Sequence, residues 1–206
     1  MVSIDSVTLD VTDPDTAETF YAAAFGLGAP LRLRVADVPS AGFRGFTLSL
    51  LVSGRATVNG LVGTALDAGA TALKPPARQL WGGYSGVVQA PDGTIWKVAT
   101  SAKKDSGQAT RQIDEIALLL GVADVAETKQ FYVDRGFDVA KSFGRKYVEF
   151  TAAPSSAVKL ALYGRRALAK DAGVPVDGTG SHRLTIGSDS EPFTDPDGFG
   201  WEGSAR

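Results

Sequence analysis

The chain twice opens on a run rich in apolar and β-forming residues, at Ile4 and at Ile113, and each run reads as a buried strand. A polar break follows, and it holds an aspartate, Asp13 or Asp124, placed to accept the free amides at the start of a helix. Pro14 takes the first helical position in one copy. Glu127 completes a capping box with Asp124 in the other. The predicted helices bury Phe20, Tyr21 and Phe25, or Phe131 and Tyr132, and stop at Gly26 or Gly136. Residues 4–28 and 113–137 therefore predict one strand–helix unit written twice.

Two further phrases recur. "FRGFTLSL" (43–50) matches "SHRLTIGS" (181–188), and "PDGTIWKVA" (91–99) matches "PDGFGWEGS" (196–204). The last pair ends on opposite charges, Lys97 and Glu202. Between the repeats, residues 101–112 are polar and contain glycine, as linkers do, which predicts domains at 1–100 and 113–206. The offset between copies is 111 at Tyr21 and Tyr132, 138 at Arg44 and His182, and 105 at Lys97 and Glu202. The second copy thus gains residues before its middle phrase and loses them after it. The gain holds residues 146–165, which read as a two-strand hairpin. The loss corresponds to residues 56–83, an amphipathic helix ending near Gly69 followed by a strand and a loop. Each copy lacks what the other keeps.

Composition narrows the chemistry. The 206 residues are 44% hydrophobic and 21% charged, with a net charge of −2, so nothing draws the chain as a whole to nucleic acid or to an anionic membrane. It has no cysteine, which excludes disulfides, zinc–thiolate sites and a thiol nucleophile. The first residues lack the pattern of a signal peptide and no apolar run reaches bilayer length, so a cytoplasmic protein is expected. The basic clusters at 141–150 and 163–170 read as solvated turns.

A strand, an Asp-capped helix carrying Phe-Tyr, and hairpins closing on Asp-Pro-Asp-Gly-x-x-Trp-Glu together resemble the vicinal oxygen chelate superfamily. Residues 74–99 and 158–175 look like phrases of its glyoxalase/bleomycin-resistance branch. The resemblance implies an α+β fold of paired βαβββ units, two to a cup, with curled mixed sheets. In metal-dependent members, His, Glu or Gln from the first and last strands hold a divalent ion that acts as a Lewis acid.

Carried over residue by residue, the first-strand ligand position falls on Ser6 in the first domain and on Glu115 or Ala117 in the second. The middle position falls on Arg44 and His182, and the last on Lys97 and Glu202. Arg and protonated Lys cannot ligate a metal. A metal is therefore implied only around His182 and Glu202. If the halves are exchanged between domains, as in glyoxalase-like members, the two halves that kept all their elements form one complete cup lined by Glu115, Arg44 and Lys97. The two shortened halves then pair as a stub.

In that cup a carboxylate facing two cations is either a structural ion pair or an oxyanion-recognition site. Trp81, Tyr84, Tyr147 and Tyr163 are expected at its mouth or walls, where they suit an apolar or aromatic ligand. The favoured expectation is a metal-free small-molecule-binding protein without a cofactor, acting as a two-domain monomer or a homodimer. Two alternatives stand beside it: a metal-dependent lyase, isomerase or dioxygenase working through His182 and Glu202, and a non-catalytic assembly module with a filled cup.

Overall fold

The computed structural model describes residues 1–80, 82–103 and 107–203. Four short modules run in sequence. The first is β1 (Ile4–Val11), α1 (Pro14–Phe25) and β2 (Leu31–Val35). The second is β4 (Phe46–Leu51), α2 (Arg55–Asp67), β5 (Thr71–Arg78), β6 (Tyr84–Gln89) and β7 (Ile95–Thr100), a whole βαβββ unit preceded by the short strand β3 (Ser40–Gly42). The third, β8 (Glu115–Val122), α3 (Val125–Val133), β9 (Val139–Ser142), β10 (Tyr147–Phe150) and β11 (Lys159–Gly164), is also whole. Helix α4 (Arg165–Ala172) and β12 (Gly178–Gly180) then lead to the fourth, β13 (Leu184–Ser188), β14 (Phe193–Thr194) and β15 (Gly200–Gly203).

The two whole modules share one eight-stranded sheet, ordered β5-β6-β7-β4-β8-β11-β10-β9. Its seam is the antiparallel pair β4–β8, in register from Phe46 opposite Leu120 to Leu51 opposite Glu115. The two truncated modules share a five-stranded sheet, ordered β14-β15-β13-β1-β2, with an antiparallel seam between β1 and β13. The sheets therefore exchange halves, the arrangement that makes sense of the complementary gains and losses along the sequence. The strap β3–β12 links the two parts of the chain.

The helix starts follow the sequence. Asp13 accepts from the amides of Asp15 and Thr16, both at 3.1 Å, and Asp124 accepts from Ala126 at 2.8 Å and Glu127 at 3.3 Å. Gly26 ends α1 in the left-handed region at φ 68°, which a residue with a Cβ resists.

Each sequence half also closes its own buried relay. Tyr21 donates to Asp92 at 2.6 Å and receives the indole N–H of Trp96 at 3.4 Å. Tyr132 donates to Asp195 at 2.8 Å and receives the indole N–H of Trp201 at 3.1 Å. The repeated Phe-Tyr and Pro-Asp-Gly-x-x-Trp phrases are thus two ends of one structural device. The aspartates are not equivalent, however: Asp92 lies inside its Pro-Asp-Gly turn, whereas Asp195 precedes the turn and Asp197 bonds the amide of Ala123 and the hydroxyl of Thr128 instead.

Candidate functional site

Side chains on a strand alternate between faces, so register decides which residues share the concave face of the eight-stranded sheet. One row crosses all four central strands: Lys97 on β7 lies beside Ser49 on β4, Ser49 beside Ala117 on β8, and Ala117 beside Lys159 on β11. One step along, Leu51 lies opposite Glu115. These residues line a cavity of about 450 Å³, with Tyr147 and Glu149 of β10 and Lys141 of β9 on its far wall. That volume lies within the range of small-ligand pockets.

Every lysine of this cavity faces a carboxylate. Lys97 Nζ lies 2.7 Å from Asp171 Oδ2, Lys141 Nζ 3.6 Å from Glu149 Oε1, and Lys159 is in contact with Glu115. Glu149 also accepts from the Tyr147 hydroxyl at 3.1 Å. Burial, reinforced by Glu149, pushes the Tyr147 hydroxyl well above the usual phenol range, so it keeps its proton and donates. Burial, then Asp171, pushes Tyr163 up as well.

The rest of the cup is filled from within. Helix α4 lays Leu168, Ala169 and Ala172 against Val87, Ile95, Leu119 and Tyr163 of the concave face, with Phe43 and Val176 closing the cluster. Its carboxyl end is held by Lys74, whose ammonium donates to the carbonyls of Lys170 and Asp171 at 2.8 and 2.7 Å. Gly121 makes this approach possible, because a Cβ there would stand 3.2 Å from the Arg165 Cα and 2.8 Å from the Gly45 carbonyl. The basic cluster expected to be a solvated turn at 163–170 is therefore in large part this packed helix. Its apolar stripe is only three residues long, which is why periodicity did not reveal it.

The structure brings Lys97, Glu115 and Tyr147 together in the cavity and leaves Tyr163 under α4, its ring 5.5 Å from that of Tyr147. Two expectations are corrected. Arg44 precedes β4 and reaches the carbonyl of Asp92 in a largely buried position away from the cavity, so it does not line the cup. Tyr84 lies on the helix-bearing face, where it bonds Asn59 at 3.0 Å under the guanidinium of Arg55. Trp81 lies outside the described residues. Lys97 and Glu115 do not pair with each other: Glu115 takes Lys159, and Lys97 takes Asp171. Lys159 and Glu149 were within reach of the sequence, since both alternate in phase with Tyr147 and Tyr163 along the predicted hairpin.

His182 stands away from the cavity, before β13. Its Nδ1 lies 2.5 Å from the carbonyl of Arg44 and its Nε2 3.0 Å from the carbonyl of Asp197, and its ring stacks on Phe199 at 4.0 Å. Both nitrogens thus face backbone carbonyls, to one of which a neutral imidazole donates its single N–H. Glu202 reaches Arg34 at 3.7 Å. Among the described residues no three His, Cys, Asp or Glu side chains gather to hold a metal ion. Of the ligand positions the resemblance gives this cup, Lys97 carries an ammonium, Arg44 lies outside the cavity and Glu115 is paired with Lys159. These residues do not fit the metal site of the metal-dependent members.

Solved structures place this architecture. Glyoxalase I from Zea mays superposes with a TM-score of 0.64 at 14% identity, over 98% of this chain and 91% of that one. The putative dioxygenase from Bacillus subtilis gives 0.64 at 11%, over 98% and 84%. The chain has the glyoxalase fold. Likeness at this identity extends to the fold and leaves the chemistry to the side chains. No protein-family model matches the sequence, and no curated protein does. No helix among the described residues is long and apolar enough to cross a membrane.

Proposed function

We propose that this vicinal oxygen chelate protein is a metal-free small-molecule binder, and that the partly filled cup takes a compact ligand bearing an oxyanion. The reading rests chiefly on the lateral row of Lys97, Ser49, Ala117 and Lys159, which sets an ammonium at each end of the cavity floor, one of them at the position the resemblance gives to the last-strand ligand. Each ammonium carries three donors, and one carboxylate engages each, so donors remain to receive an oxyanion. Leu51, Leu119 and the Tyr147 ring supply the apolar wall for the ligand body. The ion pairs keep the lysines oriented and limit the cost of holding them in a recess.

The test is a thermal-shift series with benzoate, phenylacetate and hexanoate on chelator-treated protein. A binder at a hundredfold excess over its dissociation constant gains about 2.7 kcal/mol. Stabilisation by at least one carboxylate, lost in Lys159→Met, supports the proposal, and no shift with any of the three counts against it.

The packing of Leu168, Ala169 and Ala172 into the concave face favours a second reading, a non-catalytic assembly module whose cup is filled by its own helix. In that case none of the three carboxylates stabilises the protein, and sedimentation shows a defined assembly.

A further inference from the structure

The two basic clusters of the sequence meet in space. Arg145 and Lys146, on the turn between β9 and β10, line a cavity of about 1030 Å³ together with Arg165 and Arg166 of α4, separate from the charged end of the cup. Asp177, on the segment leading to β12, is the one acidic residue among its lining. Asp124 pairs with Arg145 at the rim. No ion pair within 4 Å engages Lys146, Arg165 or Arg166 among the described residues.

Arg165 is held in place rather than solvated. It donates to the carbonyl of Phe43 at 3.0 Å, its guanidinium carbon stands 5.5 Å from the Phe43 ring centre, and it occupies the space that a Cβ on Gly45 would need. Gly45 has φ of 86°, in the region that glycine enters at little cost. A fixed guanidinium presents its remaining N–H groups in one direction, which suits tetrahedral oxyanions, and Arg is the side chain best matched to phosphate. Val122 and Val176 give the cavity apolar walls. In a chain of net charge −2, this is a local concentration of the opposite sign.

We propose that this cavity is a second ligand site, selective for phosphate-bearing small molecules and independent of the cup. Pyrophosphate is the probe, titrated calorimetrically at low ionic strength. The expected result is saturable binding with one site per chain, weakened by added salt as exposed charges are screened. Arg145→Gln/Arg166→Gln, two exposed positions whose replacement leaves the fold intact, weakens it by about tenfold or more, as loss of charge-assisted hydrogen bonds does. Lys97→Met/Lys159→Met, in the cup, leaves the affinity unchanged. The proposal is overturned if pyrophosphate does not bind saturably, if the arginine variant keeps its affinity while its circular dichroism and melting temperature match the parent, or if the cup variant alone abolishes binding.

Discussion

Lys97 Nζ sits 2.7 Å from Asp171 Oδ2, and that one contact ties the last strand of a complete cup to the helix that half fills it. The lysine side chain is only 16% exposed, so its partner matters more than in a surface pair. Asp171→Ala leaves the ammonium without its carboxylate and is expected to cost about 1–2 kcal/mol. The loss falls first on α4. Amide exchange across residues 165–172 accelerates, while the amides of β4 and β8 keep their protection. Uniform acceleration over the whole sheet would show that the contact does not hold α4 specifically.

The twin tyrosine relays differ in burial, and their variants should differ accordingly. Tyr132→Phe strips a partner from Asp195 and from the indole N–H of Trp201, both inside the core, and is expected to cost about 2–3 kcal/mol in urea unfolding. Tyr21→Phe costs less, because Asp92 is partly exposed and the Trp96 bond is long at 3.4 Å. An equal loss in the two variants contradicts the relay account.

The same phenols set an alkaline limit. Burial first, and the neighbouring aspartate second, hold both well above the ordinary phenol value of 10.0. The folded state therefore keeps their protons more tightly than the unfolded chain does. That stability is complete below pH 10 and is lost as pH rises from there through the folded-state values. Chemical denaturation between pH 9 and pH 11 should show the midpoint falling, with a shallower fall in Tyr132→Phe.

At the acid end the helix caps carry the dependence. Asp13 is held below its ordinary value first by the Thr16 hydroxyl, and Asp124 first by the Ala126 amide. Their contribution is present above the unfolded value of 3.8 and is lost as pH falls through the lower folded values. Asp195 acts in the opposite sense, because burial raises it. Asp13→Asn keeps an acceptor at the cap without the charge. Its acid-unfolding curve should therefore be flatter than the parent's below pH 4.

Gly121 tests the seating of α4. A Cβ there meets the Gly45 carbonyl at 2.8 Å, so Gly121→Ala is expected to cost about 1–3 kcal/mol. Gly28→Ala, where a Cβ meets nothing within 4 Å, is the control and is expected to be close to neutral. Equal melting temperatures for the two variants would contradict the close packing of α4 on β8.

Much of the fold was legible because it is written in repeats. The Asp caps, the Phe-Tyr helices and the changing offsets between copies marked the two whole halves, and their pairing in one sheet was one of the arrangements that the resemblance implied. The site was legible only in part. Lys97 and Glu115 were reached through the ligand positions that the resemblance implies, and Tyr147 through the predicted hairpin, but which carboxylate meets which lysine depends on α4. That helix offers only Leu168, Ala169 and Ala172 as an apolar stripe inside a basic segment. Arg44 was misplaced because its strand begins two residues later, at Phe46, and Gly45 at φ 86° turns the backbone between them. Tyr84 was misplaced because one position of phase decides between cup and helix face.

The central claim is that the complete cup recognises an oxyanion through Lys97 and Lys159 without a metal. Calorimetric titration of the best-binding probe carboxylate into chelator-treated protein, the Lys97→Met/Lys159→Met variant and protein supplied with cobalt(II) tests it most directly. The account predicts one site per chain in the chelator-treated protein, no binding in the double variant, and no change with cobalt. Binding that appears only when cobalt is present, or that survives in the double variant, would contradict it.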